Sequence, residues 1–225
     1  MISARSLFPV LSDAYQPIAA DSIVFLGHRP SESVYSGLKE KAGAEKIFRL
    51  SVFLTHKDRL LFTAPAGPDM NTDPEDLEFC VKAGLPLIRN LGILPKIGII
   101  SGGRAGDLGR NDTVDCTIQN AEALEKKLNT EGIPAKHYTI LIEEAVKETN
   151  FLILPDSLSG EMILKTVAGV GEGVEIGNIL LLKPPAGTAV SDNKIYIEQL
   201  TKKADSAYAE ILKEALAASP QINLR

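Results

Sequence analysis

The chain has 225 residues and no tryptophan, with 44% apolar and 24% charged side chains, an ordinary globular mix. Lys plus Arg total 24 and Asp plus Glu 29, so the formal net charge is −5 and the pI lies near 5.3. With no Lys/Arg run either, binding of nucleic acid through a broad basic surface is excluded. No apolar stretch approaches the ~20 residues that span a bilayer. The N-terminal MISARSLFPVLSDAYQP has a short apolar run broken by Pro9 and no small-residue cleavage site, so no signal peptide is read. The only cysteines, Cys80 and Cys116, form no metal-like pair, and His28, His56 and His137 are scattered. Neither a disulfide framework nor a metal site is expected, and the expectation is a cytoplasmic protein without a membrane or nucleic-acid partner.

Short apolar runs alternate with helical patterns along the chain. The expected strands are Ser22–Leu26, Phe48–Leu54, Leu60–Ala64, Ile97–Ile100, Tyr138–Ile142, Phe151–Leu154 and Ile179–Leu182. KIGIIS, FLILP and NILLL are near-continuous apolar runs, as expected of strands covered on both faces. Leu60–Ala64 follows its neighbour across His56-Lys57-Asp58 and reads as the second arm of a hairpin. Asp73-Pro74-Glu75-Asp76 opens a helix that runs to Gly92, which Gly84 and Pro86 are expected to kink or split. Further helices are expected from Asp112 to Leu128, Gly160 to Ala168 and Ile197 to Ala217. Strands alternating with helices predict an α/β fold with a mostly parallel sheet.

The most informative segment is KIGIISGGRAGDLGRND, Lys96 to Asp112. A buried strand ends at Ser101; a loop holding Gly102, Gly103, Gly106 and Gly109 follows, then a capped helix. Glycines let backbone N–H groups turn toward a ligand, and Arg104 and Arg110 add forked donors suited to phosphate or carboxylate. The alternative is a solvated turn whose arginines pair with Asp107 and Asp112. The glycine spacing is G-x-x-G-x-x-G, which matches neither the dinucleotide fingerprint nor a Walker loop.

A second strand-to-helix junction, FLILPDSLSGEMILK from Phe151 to Lys165, places Asp156, Ser157 and Ser159 just beyond a strand. Capping and lining a cleft are both open to them. AGVGEGVEIG, Ala168 to Gly177, mimics a methyl-donor G-x-G-x-G but follows a helix rather than a strand, and is read as a flexible turn. Glu143-Glu144 read as the first turn of a helix, and Arg29 in LGHRPS as a further cleft residue with His28 a surface or capping neighbour. Cys80 and Cys116 read as small core residues. No nucleophile–base–acid triad is present.

Taken in order, KIGIISGGRAGD, NFLILPDSLSGEMILK and GVEIGNILLLKPP resemble the phosphate acetyl/butyryl transferase family. In that family a strand ending in Ser, an xxPDxxxGN junction and a Gly-rich turn into a final apolar strand and KP follow one another. The SGGRxGDxGR form resembles most the methanogen branch called methyltransferase-related Mtx subunit X, or methanogenesis marker protein 4. The resemblance covers roughly residues 21 to 215. It implies an isocitrate/isopropylmalate-dehydrogenase-like fold with two α/β domains flanking a cleft. The first would comprise residues 1–75 plus 184–225, the second residues 76–183, and the protein would be a homodimer. Carried over by motif, the cleft residues would be Ser101, Gly102, Gly103 and Arg104, then Asp156 and Gly160, with Arg29 nearby. The ligand class implied is a small anion, phosphate or coenzyme A; no cofactor is otherwise implied.

Two departures from the family's pattern stand out. The acyltransferases carry a catalytic Ser-Arg pair just beyond the KP strand, where this chain reads PPAGTAVSDNK with only Thr188, Ser191 and Asp192 as polar stand-ins. Without the arginine a charge-assisted clamp on the transition state is lost. Only about twenty residues precede Ser22, so a trimmed first domain is expected. Three functions are open: a methyltransferase-related protein of the methanogenesis-associated branch, an active acyltransferase moving an acyl group between coenzyme A and phosphate, and a non-catalytic anion-binding scaffold.

Overall fold

A computed structural model describes residues 23–27, 31–55, 59–69, 73–192 and 194–198. Arg29, His28 and the expected C-terminal helix beyond Glu198 lie outside them. One eight-stranded sheet organises the described chain, in the order β1-β8-β7-β2-β3-β6-β4-β5. Its strands are β1 (Ile23–Gly27), β2 (Lys46–Leu54), β3 (Leu60–Ala64), β4 (Ile97–Ile99), β5 (Ala135–His137), β6 (Phe151–Ile153), β7 (Val174–Lys183) and β8 (Ile195–Glu198).

The hairpin read from the sequence is present: β2 and β3 pair antiparallel with Leu54 opposite Leu60 and Ser51 opposite Thr63. β6 lies between β3 and β4, parallel to both, and all its side chains are buried, as its continuous apolar run requires. The sheet as a whole is mixed. β2 runs antiparallel to β7 as well as to β3, and β7 antiparallel to β8, while β1–β8 and β4–β5 are parallel. β3, β4, β5, β6 and β7 therefore all end on one edge. β5, three residues long, closes the sheet on one side and β1 on the other.

The helices are α1 (Glu32–Ala42), α2 (Pro74–Asn90), α3 (Asp112–Thr130), α4 (Ile142–Glu148) and α5 (Ser157–Gly169). The α2 start is the one the sequence announces: Asp73 accepts from the Asp76 amide at 2.9 Å and Asp76 accepts from the Asp73 amide at 2.9 Å. The helix is not split at Pro86. Pro86 forfeits one backbone bond, but its neighbours Leu85, Leu87 and Ile88 are buried against the sheet and hold the run together.

Strand β2 shows how the layers form. Phe48, Leu50, Val52 and Leu54 point into the larger core with Leu77, Val81 and Ile88 of α2 and Ala121 and Leu124 of α3. The alternate residues face the other way. Ile47 joins Tyr35 and Leu38 of α1, and Phe53 joins Leu164 of α5 and Ala145 of α4. Between these two apolar clusters, on the same face, come Arg49 and Ser51.

Several expectations are corrected. The strand placed at Tyr138–Ile142 lies three residues earlier, at Ala135–His137, because Thr139 adopts a left-handed φ of 58° and breaks the run before α4 begins. Helix α5 starts at Ser157, not Gly160, and β7 starts at Val174, so the glycine stretch is a turn only over residues 170–173. Ile197 and Glu198 belong to β8, not to a helix. Helix α1 and β8 were not anticipated. Cys80 is buried as read, but Cys116 is exposed on α3.

Candidate functional site

Loops at the C-terminal ends of parallel strands are where open α/β sheets hold ligands. Here β4 and β6 are neighbours in register, Ile99 opposite Ile153, so Ser101 and Asp156 leave the same edge side by side. The sequence expected both to sit there.

Ser101 is buried and braces its own loop. Its hydroxyl donates to the Gly103 carbonyl at 2.9 Å and lies 2.9 Å from His137 Nε2. Burial holds the His137 imidazole below its usual range, against the pull of Glu125 and Glu122, so at neutral pH the ring is uncharged. The Gly102 amide donates to Thr117 Oγ1 at 2.8 Å, and a Cβ on Gly103 would come 2.6 Å from Val114 Cγ1, so the loop is packed onto α3. The two arginines divide. Arg110 Nη1 is held by Asp107 at 2.8 Å, the pairing of a solvated turn. The Arg104 amide donates to Asp107 Oδ2, yet its guanidinium has no hydrogen bond or ion pair among the described residues.

At the second junction Asp156 caps α5, accepting from the Ser159 amide at 2.7 Å, and Ser157 is buried. Gly160 is there because the helix lies directly on the β3 exit. A Cβ would overlap the Pro65 carbonyl oxygen and come 3.0 Å from Ala66 Cβ. That approach places Glu161 over the sheet, where its Oε1 accepts from Arg49 Nη1 at 2.6 Å and from the Gly67 amide at 3.1 Å.

Arg49 is the residue that sequence reasoning missed. Besides Glu161 it donates from Nε to Glu198 at 2.9 Å and from Nη2 to the Tyr35 hydroxyl at 2.6 Å. Tyr35 in turn donates to Glu198, and burial together with that bond pushes its pKa up to about 12. Next to Arg49 a polar row crosses the sheet: Thr63 of β3 opposite Ser51 of β2, Ser51 opposite Asn178 of β7, Asn178 opposite Glu198 of β8. All four are fully buried, and Thr63 Oγ1, Ser51 Oγ and Asn178 Oδ1 have no hydrogen-bond partner among the described residues. Asn178 Nδ2 donates to Glu175 at 2.8 Å. Burial pushes the Glu175 carboxyl up to about 6 despite that bond and the field of Arg49. The signal in the sequence was slight: polar residues at alternate positions inside FRLSVFL and one asparagine inside NILLL.

The residues standing where the acyltransferases carry Ser-Arg all take part in hydrogen bonds within the protein. Thr188 Oγ1 donates to the Pro185 carbonyl at 2.7 Å and Ser191 Oγ to the Lys41 carbonyl at 3.1 Å, while Asp192 accepts from Tyr196 at 2.8 Å. Among the described residues no three His, Cys, Asp or Glu side chains gather as a metal site, and no helix is long and apolar enough to cross a membrane.

The fold is similar to that of solved phosphotransacylases. A branched-chain phosphotransacylase from Enterococcus faecalis superposes with a TM-score of 0.60 at 14% identity, covering 88% of this chain and 73% of that one. The EutD phosphotransacetylase from Staphylococcus aureus gives 0.56 at 15%, covering 78% and 55%. In sequence, the chain is a relative of the methanogen proteins provisionally named methyltransferase mtx subunit X. It is 41% identical to that of Methanosarcina barkeri over 156 residues, 69% of this chain and 58% of the relative. It is 40% identical to that of Methanosarcina mazei over 173 residues, 77% and 61%. The chain thus spans about three fifths of the relatives it matches. No family model matches it. Both levels of the resemblance carried by the three motifs stand, the phosphotransacylase fold and the methanogen branch.

Proposed function

We propose that this protein is a phosphate-acyltransferase-like member of the methyltransferase-related, methanogenesis-associated branch, and that it binds a phosphate-bearing ligand where the β4 and β6 loops meet. The observation that carries this is the division of the two loop arginines. Arg110 is neutralised by Asp107, whereas the guanidinium of Arg104, in a loop that leaves the same sheet edge as Asp156, has no ion pair among the described residues. A guanidinium is suited to bidentate capture of a phosphoryl group. Acyl transfer to phosphate is the weaker reading, because Thr188, Ser191 and Asp192 are held by the Pro185 carbonyl, the Lys41 carbonyl and Tyr196, and the segment PPAGTAVSDNK holds no arginine. The proposal extends to two domains divided near residues 76 and 184, to a homodimer, and to a cytoplasmic location.

Two measurements test it. Phosphate or coenzyme A raises the melting temperature of the wild type, and Arg104→Ala removes that shift; a shift that survives the substitution places the ligand elsewhere. Acetyl phosphate or butyryl phosphate with coenzyme A gives no thioester absorbance; turnover would establish the acyltransferase reading instead.

A further inference from the structure

The edge of the sheet opposite the Arg104 loop holds a cavity of about 360 Å³. It opens where β3 begins, lined by Thr55, Arg59, Leu60 and Leu61 of the hairpin, by Val146 of α4, and by Val167 near the end of α5, among others. It is a cleft open to solvent at a junction of three elements rather than an enclosed void. Its volume falls within the range of small-ligand sites.

Its chemistry is two-part. Leu60, Leu61, Val146 and Val167 make an apolar wall, while the charged residues of the lining are Arg59, Glu143 and Lys147. The cations differ in commitment. Lys147 is held by Glu144 at 2.7 Å, whereas Arg59 has an exposed guanidinium and Glu143 an exposed carboxylate, neither with an ion pair among the described residues, so with Lys147 offset by Glu144 a carboxylate ligand binds on Arg59 and away from Glu143. Thr149 donates its hydroxyl to the Ala145 carbonyl, which removes it as a competing donor. Thr55 Oγ1 accepts from the Arg59 amide at 3.3 Å and so joins the base of the arginine to the strand before it.

We propose that this cavity binds a small aliphatic monocarboxylate, with its chain against Leu60, Leu61, Val146 and Val167 and its carboxylate on Arg59. The volume of about 360 Å³ is enough for a short aliphatic chain such as that of hexanoate. The guanidinium supplies a charge-assisted fork for the head group. The site is separate from the one proposed for phosphate. Helix α5 makes the Gly160 contact in its first turn and lines the cavity with Val167 in its last, so the two lie at opposite ends of one helix.

The test titrates the full chain with hexanoate, hexylamine and hexan-1-ol, followed by amide chemical shifts. Hexanoate is expected to saturate at millimolar concentration and to move Leu60, Val146 and Gly171 while leaving Ser101 and Asp156 in place. Arg59→Gln, at an exposed position, weakens hexanoate by about tenfold, the loss of one charge-assisted bond, and changes hexan-1-ol little. Val146→Trp fills the cavity and abolishes both. The proposal is overturned if hexylamine or hexan-1-ol binds as tightly as hexanoate, if no probe saturates, or if Arg59→Gln leaves hexanoate unaffected. Arg104→Ala leaves hexanoate binding intact, so failure here and failure of the phosphate reading are told apart.

Discussion

Glu175 shows what one buried carboxyl does to the stability of the whole. It is 3% exposed, and burial raises its pKa from 4.5 to about 6. The folded protein therefore holds this proton more tightly than the unfolded chain. The group favours folding below pH 4.5 and opposes it increasingly up to pH 6, at a cost above that of about 2 kcal/mol. Glutamine keeps the acceptor for Asn178 and cannot ionise. Urea unfolding of Glu175→Gln and wild type at pH 4 and pH 7 is expected to show the variant gaining about 2 kcal/mol relative to wild type between the two. A difference that does not change with pH would contradict the placement of this carboxyl. The same residue marks a limit of sequence reading. Glu175 lies in a glycine-rich stretch that reads as a turn, and only the pairing of Phe53 with Glu175 across a bulge sets it over the sheet. Ser51, Thr63 and Asn178 are likewise unremarkable singly, because register, which no local pattern encodes, is what aligns them. Ser101 and Asp156 were legible for the opposite reason. Each follows an uninterrupted apolar run, and strand ends carry strong turn and cap chemistry.

Among the elements, α5 depends most on a single contact. Its Gly160 lies against the Pro65 carbonyl, and this closeness lets Glu161 reach both Gly67 and Arg49. Helix propensity alone favours Gly160→Ala by up to about 1 kcal/mol. The structure reverses the sign: the added methyl has no room, and lifting the helix costs about 1–3 kcal/mol. A lower urea midpoint for Gly160→Ala is therefore expected, and a higher one would mean that α5 is not docked so closely. Element boundaries were recovered where one signal dominated. The capping box of α2 and the β2–β3 hairpin are local, while α1, with Gly37 inside a weak pattern, and β8, four residues long, are held by tertiary partners. The Tyr138–Ile142 segment has strand composition but contains the left-handed residue Thr139, which breaks it.

At the scale of the molecule, the sheet is two kinds of pairing joined at β2. On one side β3, β6, β4 and β5 are parallel; on the other β7 and β8 return antiparallel and β1 closes beside β8. β2–β3 is the most local pair, so refolding followed by pulsed hydrogen exchange is expected to protect the Phe53 and Leu61 amides, which face each other across the hairpin, before those of Ile23 and Val24. Simultaneous protection of both pairs would show that the sheet closes in one step. The pairing of β1 with β8 has a further consequence during synthesis. The partner of β1 is encoded near the other end of the described chain, and a ribosome needs roughly ten to thirty seconds to reach it. Until then the β8-facing edge of β1 has no partner, so a nascent chain stalled before Ile195 would expose to chaperones a strand edge that β8 covers in the finished protein.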